Sequence, residues 1–296
     1  VHRWERSTRA LVARGRALLE AGRTAGRAPQ AFPPGAFYSP VVDADLVAAE
    51  PDRSRIWPDP PADPPGIDFR GPDQLALLEE LAAHPLPAAW DGPEPPYDPG
   101  NDQFPPQDAA ALYALVRHRR PARMVEVGCG WSTTVTARAI RDADLPTELT
   151  CIEPYPRDFL RRLPEVSSLR VEKVEHTPWS VFGALGAGDV LFIDSSHVVK
   201  TGSDVAHLLL EVVPRLPAGV VVHVHDVFLP QDYPEGWVRA GFNWNEQYLL
   251  QALLVGNERL RPLLMNRWLA VRHPDAVRSA LGGVPLDGSS TWFETG

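Results

Sequence analysis

Cysteine is nearly absent from this chain of 296 residues: Cys129 and Cys151 stand far apart and in no CxxC spacing. That excludes a disulfide framework and a thiolate zinc cluster. Each thiol falls beside an expected strand, so buried, reduced side chains are the reading. Long apolar runs are missing as well. None approaches the ~20 residues that cross a bilayer, and no signal-peptide pattern opens the chain, so a soluble, cytoplasmic protein is expected. Positive charge is also in deficit. A net charge of −9 argues against general binding of nucleic acid or anionic membrane and leaves a small molecule as the expected partner. What is present suffices for a real core, since 44% of the residues are hydrophobic. The length fits one domain of ordinary size plus an accessory segment.

The accessory segment is expected over residues 1–97. Residues 1–27 carry seven arginines around Leu11, Leu18 and Leu19, the pattern of an amphipathic helix with a basic face, suited to solvent or to a homodimer contact through this segment. Prolines then crowd the chain to Pro106, paired at 33–34, 60–61, 64–65 and 95–96. Proline lacks the N–H and restricts its predecessor, so long helices and central strands are excluded there. Interspersed aromatics (Phe32, Phe37, Tyr38, Trp57, Phe69, Trp90, Tyr97) point to an ordered wrapping segment that shapes a substrate entrance rather than a free linker. One helix interrupts it, with Asp73 as its expected cap before Leu75, Leu77, Leu78 and Leu81.

Residues 98–296 read as the second domain. A helix is expected near 107–119, and strands near 123–127, 149–153, 168–173, 189–193 and 219–225, with helices between the early ones and near 203–213. Apolar strands punctuated by helices predict a mostly parallel α/β sheet covered on both faces. Ligands then sit at the carboxyl ends of the strands. A closing strand pair is expected within 259–272.

The first strand runs Arg-Met-Val-Glu-Val and breaks at Gly128-Cys129-Gly130 before a helix that opens with Trp131, Ser132 and Thr133. Glycines there let a ligand approach the backbone. A dinucleotide fingerprint would need glycine at 133, where Thr133 stands. The run Glu126-x-Gly128-x-Gly130 resembles the first motif of the class I S-adenosylmethionine-dependent methyltransferases. That resemblance implies a Rossmann-like seven-stranded sheet and S-adenosylmethionine as cofactor. It implies cofactor contacts from Glu126, Gly128, Gly130, Ser132 and Thr133, with Glu126 facing the cationic sulfonium and amine. Glu153, ending the second strand, would accept the ribose hydroxyls. Glu175, beyond the third, would lie by the adenine, and Asp194 would also border the cofactor.

The fourth strand ends in Ile193-Asp194-Ser195-Ser196-His197 and the fifth in His223-Val224-His225-Asp226. Together with Asp204 these residues resemble a bacterial methyltransferase subfamily with an IDxxH…HD pattern, distantly like the catechol-type O-methyltransferases. The resemblance covers roughly residues 98–272. By that likeness Asp194, His225 and Asp226 would hold a divalent metal, and His197 would be the catalytic base beside Asp194. Ser195-Ser196 and His225 depart from the pattern. Magnesium prefers an all-oxygen shell, so the imidazole of His225 tilts the choice toward manganese, iron, cobalt or zinc. His223, one pleat back on the same side of the strand, reads as a core residue.

Past the fifth strand, Phe228–Trp237 reads as a proline-broken loop over the pocket. Asn245, Glu246 and Gln247 are suited equally to substrate contact and to opening a helix, with Asn243 or Asn245 as its cap. Asn101, Gln103 and Phe104 read as part of a cofactor lid, or, for Phe104, as packing. The combined expectation is metal-assisted methyl transfer to a small molecule, most simply to a hydroxyl of a natural product, sugar or phenol. A metal-dependent oxygenase or hydrolase built on Asp194, His225 and Asp226 is the competing enzyme reading, and it leaves Glu126 and Glu153 without work. A non-catalytic binding protein on the same fold is the reading from another class.

Overall fold

The computed structural model describes residues 32–90 and 96–296. The basic helix expected over 1–27 lies outside the described residues. The chain divides into two compact units, residues 32–62 with Pro230–Trp244, and Asp63–Leu229 with Asn245–Gly296.

The first unit is small and is held by polar ties between its two segments. The Trp57 Nε1–H donates to the Tyr233 carbonyl at 2.7 Å. Arg53 pairs with Glu235 at 3.1 Å and Arg239 with Asp45 at 3.2 Å. Prolines limit it to short helical pieces at Ala44–Val47, Asp52–Ile56 and Glu235–Arg239. Phe37 and Tyr38 remain largely exposed.

The second unit carries the sheet. In chain order it contains α1 (Gly71–Leu81), α2 (Pro106–Arg119), β1 (Arg123–Val127), α3 (Trp131–Asp142), β2 (Glu148–Ile152) and β3 (Val166–Arg170). Next come β4 (Val190–Ile193), α4 (Asp204–His207), β5 (Val221–Val224) and α5 (Glu246–Leu254). The unit closes with β6 (Leu260–Met265), α6 (Asn266–Arg272), α7 (Pro274–Ala280) and β7 (Thr291–Thr295). The sheet has seven strands in the order β3-β2-β1-β4-β5-β7-β6. The first five are parallel, and β7 runs antiparallel between β5 and β6. This is the expected Rossmann-like seven-stranded α/β sheet.

Central strands read as continuous apolar runs because both faces are covered. Every residue of β4 and β5 is buried, the polar His223 included. Around them Met124, Leu149, Ile152, Phe192 and Phe293 are wholly buried, each worth roughly 1.5–3 kcal/mol relative to exposure. α2 is buried from Pro106 through Val116, so an acid in its first turn, Asp108, lies in the interior.

Two expectations are corrected here. Asp73 does not cap α1: the cap position belongs to Arg70, in the left-handed region at φ 50°, and Asp73 sits in the first turn paired with Arg70 at 2.7 Å. The closing strand pair does not lie within 259–272. Leu260–Met265 is a strand, but Trp268 and Leu269 belong to α6 and bury one helical face, and the final strand comes from Thr291–Thr295.

Candidate active site

Strand register builds the site. Val127 pairs with Ile152 on one side and Ile193 on the other, and Ile193 pairs with Val224. The next residue of each strand is therefore Gly128, Glu153, Asp194 or His225, and the four form one row along the carboxyl edge. The row crosses the gap between β1 and β4, where strand order reverses and α/β sheets take their ligands.

The β1 end is built around one carboxylate. Glu126 is fully buried, and its Oε1 accepts from the Ser132 hydroxyl at 2.6 Å and the Thr133 hydroxyl at 2.8 Å. Its Oε2 has no hydrogen-bond partner. Burial pushes the carboxyl up to about 7 against the pull of the two hydroxyls. An orphaned acidic oxygen here fits a cationic ligand group. Gly128, at φ +79°, is required by the protein itself, because a Cβ would lie 1.7 Å from the Asp194 carbonyl oxygen. Gly130 is different: a Cβ there meets no neighbour within 4 Å, so the space beside it is open. Glu153 folds its carboxylate over the same loop, accepting from Cys129 N at 3.2 Å and Tyr155 N at 2.8 Å. Glu175 lies in a short 3-10 turn beyond β3, and no hydrogen bond joins it to the other candidates.

The β4–β5 end collects Asp194, His197, His225 and Asp226. The His197 Nε2 stands 3.3 Å from Asp194 Oδ1 and 3.6 Å from Asp226 Oδ2. His225 Nδ1 stands 3.5 Å and 3.6 Å from the same two oxygens. Both rings are held from behind by buried acids, His197 Nδ1 by Glu246 at 2.9 Å and His225 Nε2 by Asp108 at 3.2 Å. Asp108 is fixed in turn: it accepts from Asn266 Nδ2 at 2.7 Å and from the backbone N–H groups of Ser289 and Ser290 at 2.9 Å each. The Ser289 hydroxyl donates to Asp226 Oδ1 at 2.9 Å. His197 and Asp226 both hold positive φ, 60° and 56°, which non-glycine residues adopt at a cost met by their surroundings. Part of that hold comes from Asn245 N and Glu246 N, both donating to the His197 carbonyl.

Charge follows from this packing. Burial disfavours an imidazolium at His197, yet Asp194, Glu246 and Asp226 outweigh it and raise the ring to about 10. His225 is raised well above its ordinary value for the same reason, through Asp226, Asp194 and Asp108. Asp194 is held far below the usual carboxylate range, burial notwithstanding, by the two imidazoles. As the groups stand, these acids hold His197 toward its protonated form. Among the described residues no three His, Cys, Asp or Glu side chains form a ready-made metal cage. The expected ligands Asp194, His225 and Asp226 are together, but they are engaged as ion pairs.

His223 is a core residue: its ring stacks on Phe192 at 3.8 Å, Nε2 bonds Ser290 Oγ at 2.9 Å, and burial holds it well below its ordinary value. Asp204 serves the loop, accepting from Ser196 N at 2.8 Å and from the Ser196 hydroxyl at 2.6 Å. Asn101 folds back on its own turn, accepting from Gln103 N and Phe104 N, while Phe104 is buried against Phe192 and His225. Asn245 occupies the cap position of α5 without capping it, because its Oδ1 accepts from Val199 N; Gln247 accepts from Phe228 N. These two side chains anchor the loops after β4 and β5. Sequence reasoning passed over Asp108 and left Glu246 open. The available signal was a carboxylate in the first turn of an otherwise apolar helix.

Residues 125–227 match the model of a family described as a methyltransferase domain. An uncharacterised protein of Archaeoglobus fulgidus is 34% identical over 140 residues, which is 44% of this chain and 62% of that protein. The chain thus spans about three fifths of the length of the curated relative it matches. Among solved structures, the plantazolicin methyltransferase BpumL in complex with SAH aligns over 77% of this chain and 98% of its own, with a TM-score of 0.42 and 13% identity. SAH-bound Podospora anserina methyltransferase PaMTH1 aligns over 64% and 77%, with a TM-score of 0.40 and 16% identity.

Proposed function

We propose that this chain is an S-adenosylmethionine-dependent methyltransferase that methylates a small molecule, at oxygen, with help from a divalent metal. The observation that carries the reading is the row Glu153–Gly128–Asp194–His225 across the switch point, with the orphaned Glu126 oxygen one pleat behind it. The family match over residues 125–227 supports it. The competing oxygenase or hydrolase reading gives no work to Glu126 or Glu153.

S-adenosylmethionine supplies the methyl group as an electrophilic sulfonium. The chain's task is to align an acceptor with it and to remove the acceptor's proton. Glu126, Ser132 and Thr133 form the cofactor end, with Gly130 leaving the backbone accessible and Glu153 placed for the ribose. Asp194, His225 and Asp226 are the groups that would hold the metal, whose chemistry there is to polarise an acceptor hydroxyl. The acceptor belongs where these carboxylates and imidazoles converge.

Calorimetric titration of the purified protein with S-adenosylhomocysteine, before and after chelation, tests the reading. Micromolar binding in both states supports a methyltransferase. Absence of binding in both overturns it.

A further inference from the structure

Three segments left idle by that scheme meet at the rim of the cofactor end. Trp131 follows Gly130 directly and opens α3 with a half-buried side chain. Arg157 lies four residues past Glu153, on the stretch that leaves β2, and its guanidinium stands 5.7 Å from the centre of the Trp131 ring. Gln103 belongs to the turn before α2, and its Oε1 accepts from Arg157 Nη2 at 2.5 Å. One side chain thus joins the start of α3, the exit of β2 and the turn before α2. It does so next to Gly130, beside which the space is open.

Both ends of this contact are anchored elsewhere. Phe159, two residues past Arg157, is buried and stacks on the Trp131 ring at 6.3 Å, which ties the stretch after β2 to the start of α3. The turn that carries Gln103 is closed on itself. Asn101 Oδ1 accepts from Gln103 N at 2.9 Å and from Phe104 N at 2.7 Å, and the Tyr97 hydroxyl donates to the Phe104 carbonyl at 2.8 Å. Phe104 seats that turn on the sheet against Phe192. The contact between the anchored pieces is light by comparison: a hydrogen bond to a neutral amide and a cation–π contact, both between half-buried side chains. Interactions of that size break and reform without unfolding the segments that carry them.

We propose that Arg157 is a cofactor-retaining residue, a strap that holds Gln103 across the rim and must release it for S-adenosylmethionine to enter or S-adenosylhomocysteine to leave. This rests on the cofactor proposed above and adds the residue that sets how long it is held. Arg157 takes no part in methyl transfer; it is a positioning residue that acts through Gln103 and Trp131. A strap has a kinetic signature of its own. Gating slows entry and exit together and leaves their ratio nearly unchanged. Loss of a direct ligand contact falls instead mainly on the exit rate, and with it on the Kd.

Stopped-flow tryptophan fluorescence on the full-length protein tests it, with S-adenosylhomocysteine as the probe and displacement by excess S-adenosylmethionine to read release. Arg157→Ala and Gln103→Ala should each raise the association and dissociation rate constants together, by roughly tenfold, with the Kd within about threefold of wild type. The double variant should match either single one, because both remove the same contact. Gln103→Glu gives the guanidinium a charged acceptor and should slow both rates. If Arg157→Ala melts far below wild type, Gln103→Glu carries the test, since it keeps the side chain's size and the packing around it. Wild-type rates in the variants overturn the strap. A raised Kd with unchanged association also overturns it and makes Arg157 a ligand contact. Wild-type protein that binds no S-adenosylhomocysteine overturns the cofactor reading itself, whereas binding with rates indifferent to Arg157 and Gln103 overturns the strap alone.

Discussion

The two ends of the carboxyl edge bury acids in opposite ways. At the β1 end, Glu126 is surrounded by hydroxyls, and one oxygen is left over. At the β4–β5 end, Asp194 and Asp226 are surrounded by imidazoles that are themselves backed by acids. Neutral donors compensate desolvation only partly, so Glu126 is driven toward its protonated form. Cationic rings overcompensate, so Asp194 stays ionised. One end therefore waits for positive charge from a ligand, while the other holds a balanced network that changes only if its protons are exchanged for something else.

The largest effect should come where the two ends touch. In Gly128→Ala the new Cβ collides with the Asp194 carbonyl at a left-handed φ. We expect a loss on the order of 4 kcal/mol or more, read as a fall of roughly 8–16 °C in a thermal melt, with both ends damaged together. Survival of cofactor binding at wild-type melting temperature would show that the ends are not coupled there. Next comes Asp108→Ala, which strips a buried partner from His225 and leaves Asn266 and two backbone N–H groups unpaired. Its cost should be about 3–5 kcal/mol, measured by denaturant unfolding; a change under ~1 kcal/mol would deny the network its structural weight. Glu153→Ala acts on the β1 end alone. Loss of charged hydrogen bonds should raise the Kd for S-adenosylhomocysteine about 10- to 100-fold with metal content unchanged, and equal losses of both ligands would blur the two ends into one.

The smallest effect is a pH dependence. The Glu126 carboxyl titrates at about 7 in the folded protein against an ordinary 4.5. The native state therefore holds a proton that the unfolded chain has released. Its contribution to stability is complete below pH 4.5 and declines until pH has passed 7. Comparing wild type with Glu126→Gln by melting at pH 5 and pH 8 isolates it: the wild type should lose the more stability. Cofactor affinity should run the other way, rising between pH 6 and 8 in the wild type and flat in the variant, because a cationic ligand favours the ionised acid. Parallel pH profiles would remove Glu126 from the cofactor end.

The parallel half of the sheet was legible because β1, β2, β4 and β5 are short apolar runs whose chemistry begins one residue past each strand. That arithmetic placed Glu153, Asp194 and His225 correctly at the edge. The last third was less legible. Trp268 and Leu269 look as fit for a strand as for the helical face they bury, and β7 follows a glycine-rich stretch that reads as a loop. Asp108 and Glu246 escaped for a different reason. An acid in the first turn of a helix is ordinarily explained by the helix dipole, and only three-dimensional packing shows that each of these faces a ring more than forty residues away in the chain.

The late position of β7 has a consequence for how the protein comes into being. Ser289 and Ser290, just before that strand, supply N–H groups to Asp108 and a hydroxyl to Asp226. A chain emerging from the ribosome can pair β1 through β4 early, and with them assemble Glu126, Gly128 and Glu153. The imidazole end must wait until residue 290 has been synthesised and β7 has slid between β5 and β6. The carboxyl edge is thereby built in two stages, the Glu126 end from early strands and the imidazole end only once the segment around Ser289 and Ser290 has joined it.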